Sequence, residues 1–376
     1  MSIPIGILHV TPGLPVGGAE TLLAILSNSL TNATKKQIVV SLSNRKALEQ
    51  AFDKKTQIHY FPRKSKFDLK PVIDLRKLIM KEKPDIIFCI NFFSYFIVRC
   101  AVIGMKSSPK RIISYHSTVP LNLKDDLLMA FYAKLLNKND ALITTCINQT
   151  TYTAKRYRIP IKSFHIIYNG IDTDYWKPAT DDWNIQQVRA KYGIPSDAKV
   201  INITASFRLE KNHKGAVKAL HMLHNEYNCR PYLLLVGTGT MLDDIERLVK
   251  ELKMEEYVKF AGFQEDIRPY YWISDLFTLC SNHVETFSIA ALEALACGLP
   301  SVLTDMGGAS EMIVEGFNGH VCRPVEKDIA LTWFKALNES YSKPEISSYL
   351  QINFNKDKMV TGYRQIFNQV LNNTHE

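Results

Sequence analysis

Leu276-Phe-Thr-Leu-Cys280-Ser-Asn-His-Val-Glu285-Thr-Phe-Ser-Ile-Ala-Ala-Leu-Glu293-Ala-Leu-Ala-Cys-Gly298-Leu-Pro300-Ser-Val-Leu-Thr304 packs a strand, a loop, a helix and a second strand into one run. Leu276–Cys280 is a short apolar segment with the length and composition of a buried strand. A helix is predicted from about Phe287 to Cys297. Thr286 or Ser288 can cap its start, and Gly298 with Pro300 ends it. Ser301–Thr304 then returns as another apolar strand. Two strands joined through a helix pair in parallel, so this run predicts an α/β domain with its sheet buried between helices.

The same alternation extends in both directions. Upstream lie strands at Lys199–Thr204, Tyr232–Val236 and Val258–Ala261, and downstream one at Gly319–Cys322. The first half repeats the pattern with strands at Ile5–Val10, Ile38–Leu42, Ile58–Phe61, Ile86–Ile90, Arg111–Ser114, Ala141–Thr145 and Phe164–Ile167. Helices fall between them near Ala19–Leu30, Lys70–Lys81, Ser94–Gly104, Asp125–Leu136 and Gln149–Tyr157. The turn-rich segment Asn169–Pro178 reads as a linker. A chain of 376 residues exceeds the size of one hydrophobic core. The expectation is therefore two doubly wound, Rossmann-like parallel-sheet domains facing across a cleft. They are taken as residues 1–172, 173–355 and a terminal helical segment 356–376, with helical spacing over Met359–Leu371.

Ligands of such sheets sit beyond the carboxyl ends of the strands, at helix N-termini. Four places answer to that description. Gly17-Gly18 precedes the first helix, where backbone N–H groups can approach a phosphate; a plain tight turn explains the pair equally well. Arg208 and Lys211 lie in the strand-to-helix loop Ala205–His213 and could hold a diphosphate leaving group, whose charge must be neutralised as a sugar–phosphate bond breaks. Glu285 precedes the helix and can reach a donor sugar. Glu293, on the helix, can accept hydrogen bonds from two vicinal hydroxyls of a ribose. Between the two carboxylates the N–H groups of Thr286, Phe287 and Ser288 face phosphate oxygens. His116 follows a strand of the first half and could meet a sugar hydroxyl or a reacting acceptor oxygen. An ordinary solvated loop, a dipole-complementing acid and a structural histidine are the bland alternatives.

Other features carry less. Asp172-Thr-Asp174 is a possible metal motif but reads better as turn chemistry. Gly237-Thr-Gly239 has Leu242 where a dinucleotide fingerprint needs a third glycine. The seven cysteines form no Cys-x-x-Cys pair and fit buried reduced thiols. No metal and no cofactor are expected, and no nucleic-acid motif appears. The start of the chain reads as a strand rather than a signal peptide. The run Ile86–Met105 contains Arg99 and reads as strand plus helix rather than a membrane span. Residues 1–172 carry a net +14 while the remainder carries −5. That asymmetry fits an anionic partner such as a membrane surface, or a lysine-rich solvated face. Leu69–Lys81 and Leu123–Leu136 are candidate docking segments, and core-facing helices explain them equally.

In order, Gly17-Gly18-Ala19-Glu20, Asn169-Gly-Ile-Asp172, Leu235-Val-Gly-Thr-Gly239, Ala261-Gly-Phe-Gln264, the Glu285…Glu293 pair, Gly307-Gly-Ala-Ser-Glu311 and Asn318-Gly319 resemble glycosyltransferase family 4 over nearly the whole chain. The resemblance implies a GT-B fold and metal-independent transfer with retention of anomeric configuration. It places Gly17 and Gly18 over the diphosphate, Arg208 and Lys211 on it, Glu293 on the ribose, Glu285 on the donor sugar and His116 beside the reacting sugar. Two departures stand out: Ser206 occupies the position where many members carry arginine, leaving Arg208 as the cation, and Thr286 replaces a common glycine.

The expected activity is a hexosyl or N-acetylhexosaminyl transferase using a nucleotide diphosphate sugar, with UDP favoured by the family, and an acceptor hydroxyl on a glycan or lipid-linked glycan of surface polysaccharide. The expected location is cytoplasmic, either free or peripheral at the inner face of the membrane. A GT-B epimerase and a nucleotide-sugar-binding protein without turnover are the alternatives.

Overall fold

The computed structural model describes residues 5–15, 17–31, 34–65, 68–117, 120, 122–137, 140–180 and 185–372. They form two compact units. One runs to Asn169 and resumes at Lys356; the other is Gly170–Asn355.

The first unit is built on β1 (Gly6–Thr11), β2 (Lys36–Ser41), β3 (Gln57–Tyr60), β4 (Ile86–Ile90), β5 (Lys110–Ser114), β6 (Asp140–Thr144) and β7 (Phe164–Ile166). All pair in parallel, in the order β3-β2-β1-β4-β5-β6-β7. The strands are covered on both faces, which is why β4 reads as an unbroken apolar run and every residue of it is buried. On one face α1 (Gly18–Leu30) packs Leu22, Leu23 and Leu26 onto Val39 and Phe88. On the other lie α2 (Lys70–Glu82), α3 (Asn91–Ala101), α4 (Leu123–Ala133) and α5 (Ile147–Tyr157), with Leu75, Val98 and Tyr132 in the core. The apolar stretch beginning at Ile86 is thus a strand and a core helix, and no helix among the described residues is long and apolar enough to cross a membrane.

The sheet's interior also holds an ion pair. Arg111 Nε lies 2.5 Å from Asp140 Oδ1, with both side chains buried. Tyr95 donates its hydroxyl hydrogen to the same carboxylate at 2.7 Å, and the Asn137 N–H donates at 2.8 Å. A buried charge needs this degree of satisfaction to persist.

In the second unit α6 (Ile185–Lys191) precedes β8 (Val200–Thr204), α7 (His213–Glu226), β9 (Tyr232–Val236), α8 (Leu242–Glu251), β10 (Val258–Gly262), α9 (Arg268–Trp272), β11 (Leu276–Leu279), α10 (Ile289–Ala296), β12 (Ser301–Thr304), α11 (Ala309–Met312) and β13 (Gly319–Cys322). The helices α12 (Glu326–Leu337) and α13 (Lys343–Asn353) close it. Its parallel sheet runs β10-β9-β8-β11-β12-β13. The last helix, α14 (Lys356–Asn372), belongs to the first unit, where Tyr363 and Phe367 set their rings 5.7 and 5.8 Å from Phe88.

In both sheets the strand order reverses between the first and fourth strands. In the first unit this switch lies between β1 and β4, in the second between β8 and β11. The carboxyl ends of the strands at such a switch point are where doubly wound sheets bind ligands.

Candidate functional site

In the second unit the loop after β8 reaches Lys211, and the loop after β11 reaches Glu285. Their side chains meet across the switch point, Lys211 Nζ lying 2.6 Å from Glu285 Oε2. Ser281 donates its hydroxyl hydrogen to the same oxygen at 3.1 Å, and the Thr286 N–H donates to the other carboxylate oxygen at 3.3 Å. The Asn282 N–H donates to the Glu210 carbonyl at 3.1 Å, so backbone as well as side chains ties the two loops together. Arg208 stands apart from this cluster. It is mostly exposed and pairs with Glu210 at 3.1 Å.

Glycines explain how the loops come so close. Gly237 follows β9 with φ +135°, and a Cβ there would lie 2.1 Å from the Ala205 carbonyl oxygen. The Phe207 N–H donates to the Thr238 carbonyl at 2.9 Å. Gly237-Thr-Gly239 is therefore the seat of the Arg208–Lys211 loop. On the other side Gly307, with φ +58°, would place a Cβ 2.2 Å from the Thr286 carbonyl oxygen and 2.5 Å from that of Glu285. Only a residue without a side chain fits where that turn presses on the glutamate's own backbone.

Ser288 caps α10, its hydroxyl accepting from the Ala291 N–H at 3.2 Å. The helix starts at Ile289, two residues later than the spacing implied, because Ser288 keeps the extended backbone of a cap. Thr286 and buried Phe287 lie in the approach to it. Glu293 sits on the second turn. Tyr271, from α9, donates its hydroxyl hydrogen to Glu293 Oε2 at 3.2 Å. Burial pushes the Glu293 carboxyl up to about 8, the tyrosine bond only partly opposing it. A carboxyl so placed lacks the hydrogen-bond donors its charged form needs, and a ligand hydroxyl would supply them.

His213 begins α7 directly behind Lys211. Its ring lies 4.6 Å from that of Phe207, and burial pulls its pKa down to about 4. Asp172 Oδ1 accepts from the N–H groups of Asp174 and Tyr175 at 3.1 and 3.4 Å, the Asx turn that the Asp172-Thr-Asp174 motif encodes. Among the described residues no group of three or more His, Cys, Asp or Glu side chains is arranged to hold a metal ion.

In the first unit Gly17 precedes α1 after β1, with φ −172° and ψ 158°. That backbone suits any residue. What glycine provides is room, since a Cβ would press on the Glu20 carboxylate at 2.6 Å. Gly18 opens the helix. His116 follows β5, two strands from β1 along the same carboxyl edge. Its backbone N–H donates to Asn91 Oδ1 at 3.0 Å, its Nε2 lies 2.9 Å from Ser114 Oγ, and burial lowers its pKa to about 4. At neutral pH the imidazole is uncharged. The sequence-derived residues therefore gather into two clusters: Gly17, Gly18 and His116 on one sheet edge, and Lys211, Glu285, Thr286, Phe287, Ser288 and Glu293 on the other. Tyr271, Ser281, Asn91 and Ser114 hold them and were not singled out by sequence. Tyr271 lies 22 positions from Glu293 and no periodicity links the two.

Two family models match the chain. One described as Glycosyltransferase Family 4 covers residues 16–175, and one described as Glycosyl transferases group 1 covers residues 184–349. Among curated proteins, N-acetyl-alpha-D-glucosaminyl L-malate synthase of Bacillus anthracis is 31% identical over 238 residues, 61% of this chain and 59% of that protein. The chain thus spans about three fifths of that relative's length. The putative glycosyltransferase EpsD of Bacillus subtilis is 27% identical over 296 residues, 76% of this chain and 75% of that protein. The crystal structure of Anabaena HepE in complex with UDP is similar with a TM-score of 0.82 at 18% identity, over 97% of this chain and 100% of that one. At that identity the likeness is one of fold.

Proposed function

Because this chain belongs to glycosyltransferase family 4, with the two Rossmann-like sheets of the GT-B fold, we propose that it transfers a hexose or N-acetylhexosamine from a UDP-sugar to an acceptor hydroxyl with retention of configuration and without a metal. The observation that carries the reading is the Lys211–Glu285 bridge across the second unit's switch point, with Glu293 on the second turn of the helix that follows.

The roles follow from charge and burial. A donor diphosphate brings negative charge to Lys211 and to the first N–H groups of α10, where the developing charge of the leaving group is stabilised most. Lys211 is already fixed by Glu285, so little reorganisation accompanies binding. Glu285 accepts from a donor-sugar hydroxyl, and Glu293 accepts from the ribose. As transfer proceeds, the bond from C1 to the diphosphate oxygen breaks, the bond from C1 to the acceptor oxygen forms on the same face, and the acceptor's proton leaves with the diphosphate. His116, neutral, contacts a hydroxyl near C1. Arg208, held by Glu210, contributes less than Lys211. Gly17 and Gly18, at the start of α1, are further proposed contacts of the diphosphate. The name of the malate-glucosaminyl relative supports an N-acetylhexosamine as the sugar, and the UDP complex of HepE supports UDP as the nucleotide.

The acceptor is proposed to be a glycan on an anionic lipid, met at the inner membrane face. Two helices of the first unit support this. The solvent side of α4 carries Leu123, Leu127, Leu128 and Phe131, while its inner side buries Asp126 against Arg156 and Tyr157. Apolar side chains at this helical spacing face water and the acid faces inward, the reverse of a surface helix covering a core. The outer side of α2 alternates Leu69, Ile73 and Met80 with Lys70, Lys77 and Lys81, all exposed. Apolar side chains flanked by lysines suit the interface of an anionic bilayer. Sedimentation with vesicles tests this: binding to phosphatidylglycerol vesicles that Leu127→Asp and Phe131→Asp abolish supports it, and binding unchanged by both substitutions removes it.

Thermal shift against UDP-, GDP- and ADP-sugars, followed by donor hydrolysis, tests the activity. A shift and hydrolysis with UDP-sugars are expected. A shift without turnover with any acceptor would revive the binding-protein alternative, and no shift at all would remove the donor site.

A further inference from the structure

The first unit has a second concavity, at the opposite ends of its strands from Gly17, Gly18 and His116. A cleft of about 620 Å³ opens at the amino ends of β5, β6 and β7. Lys110 is the first of the five residues of β5, so the cleft lies about 16 Å along that strand from the edge that holds His116. Leu136 and Ile159 give it an apolar wall, and four cations line it: Lys110, Lys134, Arg158 and Lys162. We infer that this cleft binds the phosphate of an anionic membrane phospholipid, its cations on the headgroup and its apolar wall against the glycerol and first chain carbons. The inference rests on the membrane docking proposed above and deepens it, by naming the headgroup chemistry and the side chains that read it.

Charge carries the first half of the argument. Among the described residues none of the four cationic side chains is paired with a carboxylate. Elsewhere in the unit cations do find acids: Lys36 pairs with Glu82 at 2.5 Å, and Arg156, two residues before Arg158, pairs with Asp126. The carboxylate that lines the cleft is Asp140, and Arg111 balances its charge from inside the sheet at 2.5 Å. Tyr95 and the Asn137 N–H occupy its other oxygen. Like charges gathered around one concavity without a counter-charge repel one another, and an oxyanion entering it relieves that repulsion.

The surroundings carry the second half, because a site for a bare phosphate has no use for an apolar border. Ile161, between the lining residues Pro160 and Lys162, is 64% exposed. Phe131, three residues before Lys134, is 49% exposed, and Leu123, Leu127 and Leu128 continue the exposed apolar side of α4. Apolar tips facing water beside lysines and an arginine suit the bilayer interface, where the cations meet phosphates and the tips enter the acyl boundary. The volume is that of a pocket for a small organic ligand, which a headgroup with its glycerol fills.

The test is calorimetric titration of the full chain with dihexanoyl phosphatidylglycerol below its micelle concentration, beside dihexanoyl phosphatidylcholine and inorganic phosphate. The wild type is expected to bind the phosphatidylglycerol about tenfold more tightly than either comparison, as one charge-assisted contact more would give. Arg158→Gln and Lys162→Gln, both at exposed positions, are each expected to weaken it roughly 5- to 30-fold, a charge-assisted bond discounted for solvent, with UDP affinity unchanged. Inorganic phosphate bound as tightly would make this a free-phosphate site, and phosphatidylcholine bound as tightly would make it a neutral groove. Either result overturns the inference, as does phosphatidylglycerol binding that both substitutions leave unchanged. Vesicle sedimentation separates it from the reading it rests on: Leu127→Asp is expected to abolish vesicle binding while the dissolved lipid keeps its affinity. Vesicles bound and the dissolved lipid not bound would sink the cleft and spare the docking. The dissolved lipid bound and vesicles not bound would sink the docking and leave the phosphate site standing.

Discussion

Replacing Glu293 by glutamine isolates what the buried carboxyl costs the fold. In the folded chain burial moves its pKa from 4.5 to about 8. A carboxyl that holds its proton more tightly when folded makes stability fall as pH rises from the unfolded value to the folded one, and the loss is complete above the latter. At ~1.4 kcal/mol for each tenfold change in proton affinity, the wild type gives up about 3 kcal/mol at pH 7, approaching ~5 kcal/mol above pH 8 and under ~1 kcal/mol near pH 5. Glutamine has nearly the same shape, keeps an acceptor for Tyr271 and never ionises. Glu293→Gln is therefore expected to be more stable than the wild type by a margin that grows with pH. For a unit of this size ~3 kcal/mol corresponds to about 6–12 °C in Tm. Urea denaturation at about pH 5 and about pH 8, monitored on both proteins without ligand, reads the difference directly. An equal effect at both pH values, or a glutamine variant less stable at the higher one, would mean that folding does not raise the affinity of Glu293 for its proton. The stability given up by the wild type is what a binding carboxylate held ready for ribose hydroxyls would require.

Glu293→Ala should weaken UDP binding by about 10- to 30-fold, two ribose hydrogen bonds at ~1 kcal/mol each; unchanged affinity by calorimetry would remove the ribose role. Lys211→Met should cost UDP roughly tenfold or more while leaving uridine nearly unaffected, since a charge-assisted bond is worth about 1.5–3 kcal/mol; equal losses for both would mean no diphosphate contact. Gly307→Ala should destabilise the second unit by about 2–4 kcal/mol, through the left-handed backbone and the overlap with the Thr286 and Glu285 carbonyls, and should weaken donor binding with it; wild-type urea stability would contradict that packing. Asp140→Ala strands Arg111 in the first sheet, and chemical denaturation should show a loss of about 3–5 kcal/mol, whereas a loss below ~1 kcal/mol would mean the pair is solvated.

Much of this was legible in the sequence, for identifiable reasons. Parallel strands buried on both faces, such as Ile86–Ile90 and Tyr232–Val236, announce themselves as apolar runs, and their observed bounds match. The loop positions of Lys211, Glu285 and His116 followed from the alternation of strands and helices alone. What sequence could not supply was which side chains meet. The Lys211–Glu285 bridge spans 74 positions and depends on β8 and β11 being neighbours, which only the sheet topology decides. Arg208 reads as the equal of Lys211 in sequence, yet Glu210 two residues away takes it. Gly237-Thr-Gly239 failed as a dinucleotide fingerprint because its glycines serve a neighbouring loop, a close backbone approach that spacing does not reveal. The α4 segment shows helical spacing, but periodicity does not say which side faces the sheet, and Asp126 rather than the leucines turned inward.

Retaining transfer from a nucleotide sugar is tested by proton NMR of the first sugar released from an α-linked UDP-sugar, recorded before the product mutarotates. With water as the acceptor, the α-anomer is expected to be released, more slowly in Lys211→Met. Release of the β-anomer, or no release from any nucleotide sugar, would contradict it.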